Sequence, residues 1–226
     1  MIDGLIDQLK DRTLSIDDRY GAILALYRIF GYQSFDVLKS VLDDSNESPE
    51  IRSAVALVLG KLGAESLSEL KKHLNDKNPI IRNYVVQAIG MIGEVGIPVL
   101  FKALKDEDND VFYSAADAIG SIGNPAVPYL TELLDNGKED AKCVAAWKLG
   151  EIKDLRAVSA LISAIRCQDN NDDIKSLSVW ALGEISRKSK NNKSIISALY
   201  RASRSKNPEV KHRAYIALRK ARDYVN

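Results

Sequence analysis

Apolar residues along the chain recur in two alternating patterns, both with the period of a helix. In one set of segments they stand four apart: Leu38/Leu42, Leu70/Leu74, Leu100/Leu104, Leu130/Leu134 and Leu161/Ile165. The segments between them are denser and end on glycine. Ile51-Arg52-Ser53-Ala54-Val55-Ala56-Leu57-Val58-Leu59-Gly60-Lys61-Leu62-Gly63 is echoed by Ile81-Arg82-Asn83-Tyr84-Val85-Val86-Gln87-Ala88-Ile89-Gly90-Met91-Ile92-Gly93, and again in 111–123, 141–152 and 174–185. The anchor glycines Gly60, Gly90, Gly120 and Gly150 are 30 residues apart, and Gly183 follows 33 later. Weaker copies flank them, from Arg19 to Phe30 with Tyr27 at the glycine position, and from Val210 to Arg222 with Arg219 there. No run alternates in the manner of a strand. The pattern predicts seven helix pairs, at about 1–31, 32–63, 64–93, 94–123, 124–153, 154–187 and 188–226, forming one repeat domain.

Turn chemistry supports these boundaries. Ser48-Pro49, Asn78-Pro79 and Asn207-Pro208 each place Pro at a first helical position behind a capping residue. A glycine within a helix costs roughly 1 kcal/mol relative to Ala. Its return in five copies implies a close approach by the next repeat at Gly60, Gly90, Gly120, Gly150 and Gly183. Gly63, Gly93 and Gly123, three residues on, are placed to end helices.

Counted from the anchor glycine, positions nine, five, two and one before it and two after it are nearly always apolar and form a buried stripe. Positions seven before, three before and one after share another helical face. Seven before stand Tyr20, Ser53, Asn83, Tyr113, Cys143, Ser176 and His212. Three before stand Leu24, Leu57, Gln87, Asp117, Trp147, Trp180 and Ile216, and one after stand Arg28, Lys61, Met91, Ser121, Glu151, Glu184 and Lys220. Both tryptophans fall in one column, in adjacent repeats. Packed helices lie roughly 10 Å apart, so Trp147 and Trp180 are expected to be neighbours, with Tyr113 and Asp117 on the next rungs.

The motif Val/Ile-Arg-x-x-Ala-x-x-Ala-Leu-Gly-x-Ile-Gly, with Asp76 six residues before Arg82, resembles the HEAT-like repeat of the phycobiliprotein-lyase type over nearly the whole chain. The resemblance implies an all-α, right-handed α-α superhelix with first helices on the convex side and second helices on the concave side. The variable face would then line the concave groove. Eight before the glycine stand Arg19, Arg52, Arg82, Lys142, Lys175 and Lys211, and the resemblance implies that an Arg here often bonds an Asp at the start of the helix pair of its own or a neighbouring repeat. Phe112 interrupts this series, so the fourth repeat is expected to differ locally.

Composition sets outer bounds. The 226 residues are 46% hydrophobic and 28% charged, with a formal net charge of +1, which speaks for a folded cytoplasmic protein rather than a disordered one. No segment has the length of a membrane span, and the first residues have no leader pattern. The net charge conceals an asymmetry. Between Ile185 and Asn226 twelve Lys/Arg face two acids, a net of +10, which leaves −9 for the rest. This basic end, with Arg187, Lys188, Lys190, Lys211, Arg213, Arg219, Lys220 and Arg222, reads as a solubilising cap or a contact for an acidic partner, including weak self-association screened by salt.

Catalytic signatures are sparse. Two cysteines, Cys143 and Cys167, show no metal spacing, and no phosphate-binding glycine loop is present. His73 is expected on the solvent face of a first helix. The resembling family includes deoxyhypusine hydroxylase, whose His-Glu pairs bind iron; no His-Glu pair exists in this chain. No cofactor and no metal are expected. The expected function is that of a non-enzymatic scaffold that holds a helix or extended segment of a partner protein, apolar with basic residues, in the groove. Its binding residues would be Trp147, Trp180, Tyr113, Asp117, Gln87, Asn83, Cys143, Glu151 and Glu184. The resemblance offers a second reading, a bilin lyase or chromophore-handling chaperone. Nucleic-acid binding through the basic end is the third, against which the acidic middle of the groove argues.

Overall fold

The computed structural model describes residues 2–189 and 192–223. Among them no strand occurs, and the fold is an all-α, HEAT-like solenoid in which every expected repeat contributes two helices. Contacts group the chain into two compact units, Met1–Ile122 and Gly123–Asn226. The border between them falls within one residue of a repeat boundary.

The first unit holds four pairs: α1 (Ile2–Lys10) with α2 (Ile16–Ala25), α3 (Phe35–Asp43) with α4 (Pro49–Leu62), α5 (Leu67–Lys72) with α6 (Pro79–Ile92), and α7 (Ile97–Ala103) with α8 (Asn109–Ile122). The second unit holds three: α9 (Val127–Asn136) with α10 (Glu139–Ile152), α11 (Val158–Arg166) with α12 (Asp172–Ser186), and α13 (Lys193–Ala202) with α14 (Pro208–Asp223). Ser48 caps α4 by accepting from the Ile51 N–H, and Asn78 caps α6 by accepting from the Ile80 N–H. Pro49 and Pro79 open those helices as expected. Gly63, Gly93 and Gly123 close α4, α6 and α8 with φ of 100°, 90° and 79°. That left-handed region is open to glycine at no steric cost. In the fifth repeat Lys153 takes the same role at φ 58° without being glycine. In the first repeat, where Tyr27 replaces the anchor glycine, α2 widens into a π-helical turn over Leu26–Phe30.

The buried stripe runs where the periodicity puts it. Ile51, Ile81, Val111, Ile174 and Val210, nine before the anchor, are all buried, as are Leu59, Ile89, Ile119, Leu149 and Leu182, one before it. Second helices pack directly on one another: α4 on α6, α6 on α8, α10 on α12 and α12 on α14. First helices meet one another less extensively, so each unit curves toward its second helices. The anchor glycines set this approach. A Cβ on Gly60 would lie 2.6 Å from the Ala88 carbonyl oxygen, one on Gly90 2.8 Å from the Ala118 Cβ, and one on Gly183 2.7 Å from the Ala217 Cβ. Each glycine receives the small residue two before the next anchor.

A second device ties the repeats of the first unit. The Arg19 guanidinium pairs with Glu47, Arg52 with Asp76 at 2.6 Å, and Arg82 with both oxygens of Asp106 at 2.7 and 2.8 Å. Each Arg also donates to a backbone carbonyl: Leu9, Leu42 or Asp76. All three arginines are buried. Breaking a buried pair by removing one partner costs about 3–5 kcal/mol, against about 0–1 kcal/mol for an exposed pair, so these bonds outweigh surface pairs such as Lys39–Asp43. Each Arg reaches the turn between the two helices of the following pair, so the acid comes from the neighbouring repeat, in mid-pair rather than at the start of a pair as expected. At Phe112 the series stops, and its ring lies edge-on to Tyr113 with centroids 5.1 Å apart. In the second unit the position is carried by Lys142, whose ammonium donates to the buried Asn170 side chain at 3.1 Å.

The close approach has a measurable consequence. Gly21 lies within α2 and a Cβ there would meet nothing within 4 Å, so Gly21→Ala should stabilise by about 0.5–1 kcal/mol through helix propensity. Gly60→Ala gains the same propensity but drives a methyl into backbone, and overpacking costs about 1–3 kcal/mol. Urea unfolding midpoints of the two variants are expected to move in opposite directions. A higher midpoint for Gly60→Ala would contradict the close-packing account.

Candidate functional site

The variable face of the second helices is mostly exposed or half-buried in both units, with Ser53, Ser176 and Glu184 buried, and the two parts are taken in turn. In the first unit Asn83 and Gln87, one turn apart on α6, bond each other: the Gln87 amide donates to the Asn83 Oδ1 at 2.7 Å, and the Ser114 hydroxyl of α8 donates to the same oxygen at 2.9 Å. These polar groups therefore brace two adjacent second helices as well as lining the face. Beyond them Met91, 52% exposed, and Tyr113, 54% exposed, stand clear of the surface, and Asp117 is exposed.

In the second unit the two tryptophans have different surroundings. Trp180 on α12 is half-buried, and its six-membered ring lies directly against Gly150 of α10. The glycine that admits a small residue elsewhere here admits an indole. Trp147 stands one turn before that glycine on α10 and is 36% exposed. The Lys148 ammonium sits 4.0 Å from the Trp147 ring centroid and bonds Glu151 at 2.9 Å. Lys148 occupies a position of the buried stripe, where sequence periodicity foretold an apolar residue. Its stem is covered while its head reaches the face, as long cationic side chains do.

The acidic character foreseen for this face is largely consumed inside the protein. Glu184 is 9% exposed and bonded by Lys220 at 2.6 Å, Lys153 at 2.9 Å and Arg187 at 3.4 Å. Burial works to raise its pKa, yet the bonds and charges of Lys220 and Lys153 overcome that and bring it down to about 2. The same contacts engage part of the basic end. Arg213 pairs with Glu209 on its own helix at 2.7 Å, and the Lys188 ammonium donates to the Ile152 carbonyl. Lys211 and Arg219 are exposed on α14. Lys190 and the Arg222 side chain lie outside the described residues.

Between α12 and α14 the face sinks into a hollow of about 330 Å³, walled by Trp180, His212, Ile216, Arg213 and Lys220. Three of these, His212, Ile216 and Lys220, are the three variable positions of the seventh repeat, so the columns read from spacing do converge on one depression. Cys143 is half-buried on α10, and burial first, then Asp173, Asp140 and Glu139, raises its thiol pKa. A thiol held protonated is a poor nucleophile. His73 departs from its expected place. Only 12% of its side chain is accessible, because the turn after α5 folds it against the end of α3, a long-range contact that local periodicity does not carry.

A model of HEAT repeats matches residues 2–90, 67–141 and 130–219. A comparison with curated protein sequences finds no match. Among solved structures, an archaeal HEAT-like repeats protein from Thermococcus onnurineus NA1 is 14% identical with a TM-score of 0.59, over 100% of this chain and 98% of that one. An engineered protein is 18% identical with a TM-score of 0.52, over 98% and 68%. The karyopherin Kap121p, bound to the extreme C-terminus of the protein phosphatase Cdc14p, is 14% identical with a TM-score of 0.52, over 97% and 29%. At these identities the likeness extends to the fold. No helix among the described residues is long and apolar enough to cross a membrane.

Glu184 gives the face a pH signature. Its folded pKa lies below its ordinary value of 4.5, so the stabilisation is fully present above pH 4.5 and is lost as pH falls toward 2. A drop to about 2 corresponds to about 3 kcal/mol at neutral pH. Thermal melts are expected to show Glu184→Gln less stable than the parent at pH 6, with the gap closing progressively between pH 5 and pH 2. A gap independent of pH would contradict the assignment.

Proposed function

This chain belongs to the HEAT-repeat family, and from that premise we propose that it is a protein-binding scaffold whose second-helix face receives a segment of a partner protein. The observation that carries this reading is the aromatic content of the second unit: an exposed Trp147 on α10 with a cation over its ring, and on the adjacent α12 a Trp180 that helps wall a hollow. Large aromatic side chains that keep contact area at low entropy cost are typical binding hot spots. HEAT repeats commonly act as interaction scaffolds, and the karyopherin of similar fold is itself bound to a protein C-terminus.

The chemistry of the bound segment differs from a simple basic ligand. Glu184 is neutralised by its own lysines and Glu151 by Lys148, so the centre of the face offers apolar surface with paired charges at its margin. A segment with an apolar or aromatic anchor suits it best, with charged residues of either sign at the rim. A bilin is the weaker reading, since its propionates need available cations, and Lys148 and Lys220 are already bonded to carboxylates. Groove residues in the first unit, Asn83, Gln87, Tyr113 and Asp117, belong to the same proposal as further contacts.

Trp147 is the substitution of choice because it is the more exposed of the two tryptophans, whereas truncating Trp180 would empty the space over Gly150. Trp147→Ala is expected to keep its melting temperature within about 3 °C and to weaken capture of the physiological partner at least tenfold, the scale of a lost hot spot. Quantitative affinity capture from the native source, parent against variant, reads this out. Equal recovery of every specific partner by the two proteins would overturn the proposal.

A further inference from the structure

On the first helices, away from the aromatic face, three side chains converge with metal-ligand chemistry. Asp43 is the last residue of α3. Glu69 and His73 stand four apart, Glu69 on α5 and His73 on the turn that follows it, so they share one side of that segment. The His73 Nε2 lies 3.0 Å from the Asp43 Oδ1 and 3.7 Å from the Glu69 Oε1, and the three atoms are all within 4.8 Å of one another. Donors bound tetrahedrally at about 2.0–2.2 Å from one ion stand about 3.4 Å apart. The observed separations bracket that value.

An independent observation points to a ligand here. The Glu69 side chain is only 4% exposed, yet its Oε1 makes no hydrogen bond. A carboxylate oxygen buried without a partner is costly, and this one faces the centre of the triad. A single proton on the His73 Nε2 serves Asp43 at 3.0 Å and leaves Glu69 at 3.7 Å unserved, whereas one divalent ion can satisfy all three. The flanking lysines touch the other oxygen of each carboxylate, Lys39 reaching both, with its ammonium also 3.7 Å from the Glu69 Oε2. Lys39 bonds the Asp43 Oδ2 at 3.0 Å and Lys72 the Glu69 Oε2 at 2.8 Å. Each holds the outer oxygen and so orients the inner one, the role that outer partners play around metal sites.

We propose that Asp43, Glu69 and His73 form a binding site for a divalent first-row transition ion such as Zn²⁺. One imidazole nitrogen with two carboxylates suits such ions better than Ca²⁺, which takes six to eight oxygens, or soft ions, which need sulfur. Asp43 is 41% exposed, so water completes the coordination from the solvent side. The ion joins α3 of the second repeat to the third repeat across the loosely packed first-helix side. The nearby ammonium groups oppose the incoming charge and place the expected affinity in the micromolar range.

Zn²⁺ titration of the tag-free, full-length protein by calorimetry at pH 7, with thermal melts alongside, tests this. One equivalent is expected to bind and to raise the melting temperature, and a chelator should reverse the shift. Asp43→Asn and His73→Gln should each weaken binding at least tenfold. His212→Gln, which changes the other histidine, should leave it within twofold. Circular dichroism confirms that each variant is folded; should His73→Gln not fold, the exposed Asp43→Asn carries the test. No stoichiometric uptake at about 100 μM Zn²⁺, or uptake undiminished by Asp43→Asn, would overturn the site while leaving the protein-binding reading untouched.

Discussion

Everything in this fold depends on how near two successive second helices can come. At Gly60, Gly90 and Gly183 the separation leaves no room for a methyl group, and the residue that arrives from the next repeat is Ala88, Ala118 or Ala217. Helices joined at backbone distance on one side and through larger side chains on the other must curve, so glycine placement dictates the curvature of each unit. Curvature in turn decides which columns of side chains crowd together and which splay apart. At Gly150 the same vacancy is filled by the Trp180 ring, which converts a packing device into the floor of the aromatic surface.

Electrostatics adds a layer that packing alone would not supply. Arg19, Arg52 and Arg82 are buried cations whose desolvation is tolerable only because each finds both a carboxylate and a carbonyl. The carboxylates answer accordingly. Burial pushes the pKa values of Glu47 and Asp76 upward, and the guanidinium bonds with backbone N–H groups more than reverse it; for Asp106 the Arg82 bond is the largest influence and the pKa is again lowered. The acids thus act in two directions at once, since Asp76 accepts from the Asn78 N–H at the start of α6 while it receives Arg52. In the second unit the Lys142 ammonium, bonded to the uncharged Asn170 amide, does the same connecting work with one charge rather than two.

Much of this was legible in the linear pattern. Helix pairs, proline starts, glycine stops and the buried stripe follow from period and turn chemistry, which are local. The convergence of His212, Ile216 and Lys220 on one hollow was also readable, because spacings of four and eight on a helix are geometry. What escaped reading depended on partners distant in the chain. Glu184 looked like an open acid until Lys153 and Lys220, 31 and 36 positions away, closed on it. Lys148 breaks the apolar stripe, and only its contacts with Trp147 and Glu151 account for it. His73 looked solvated, because nothing nearby in the chain announces that the end of α3 covers it. The basic end, impressive as a sum of charges, is in part a set of partners for the protein's own acids.

The forward reach of the arginines has a consequence for how such a chain can lengthen. The repeat at 64–93 carries Asp76, which serves its predecessor, and Arg82, which serves its successor. It likewise carries Ala88 as the filling and Gly90 as the vacancy. Each repeat is thus complementary to a copy of itself in tandem, an interface of the head-to-tail kind that propagates without closing. A duplication of this segment would recreate both bonds and both contacts at every new junction. Growth by copying is therefore energetically self-consistent in this register, and a residue such as Phe112, which answers no acid, marks where that grammar was allowed to lapse.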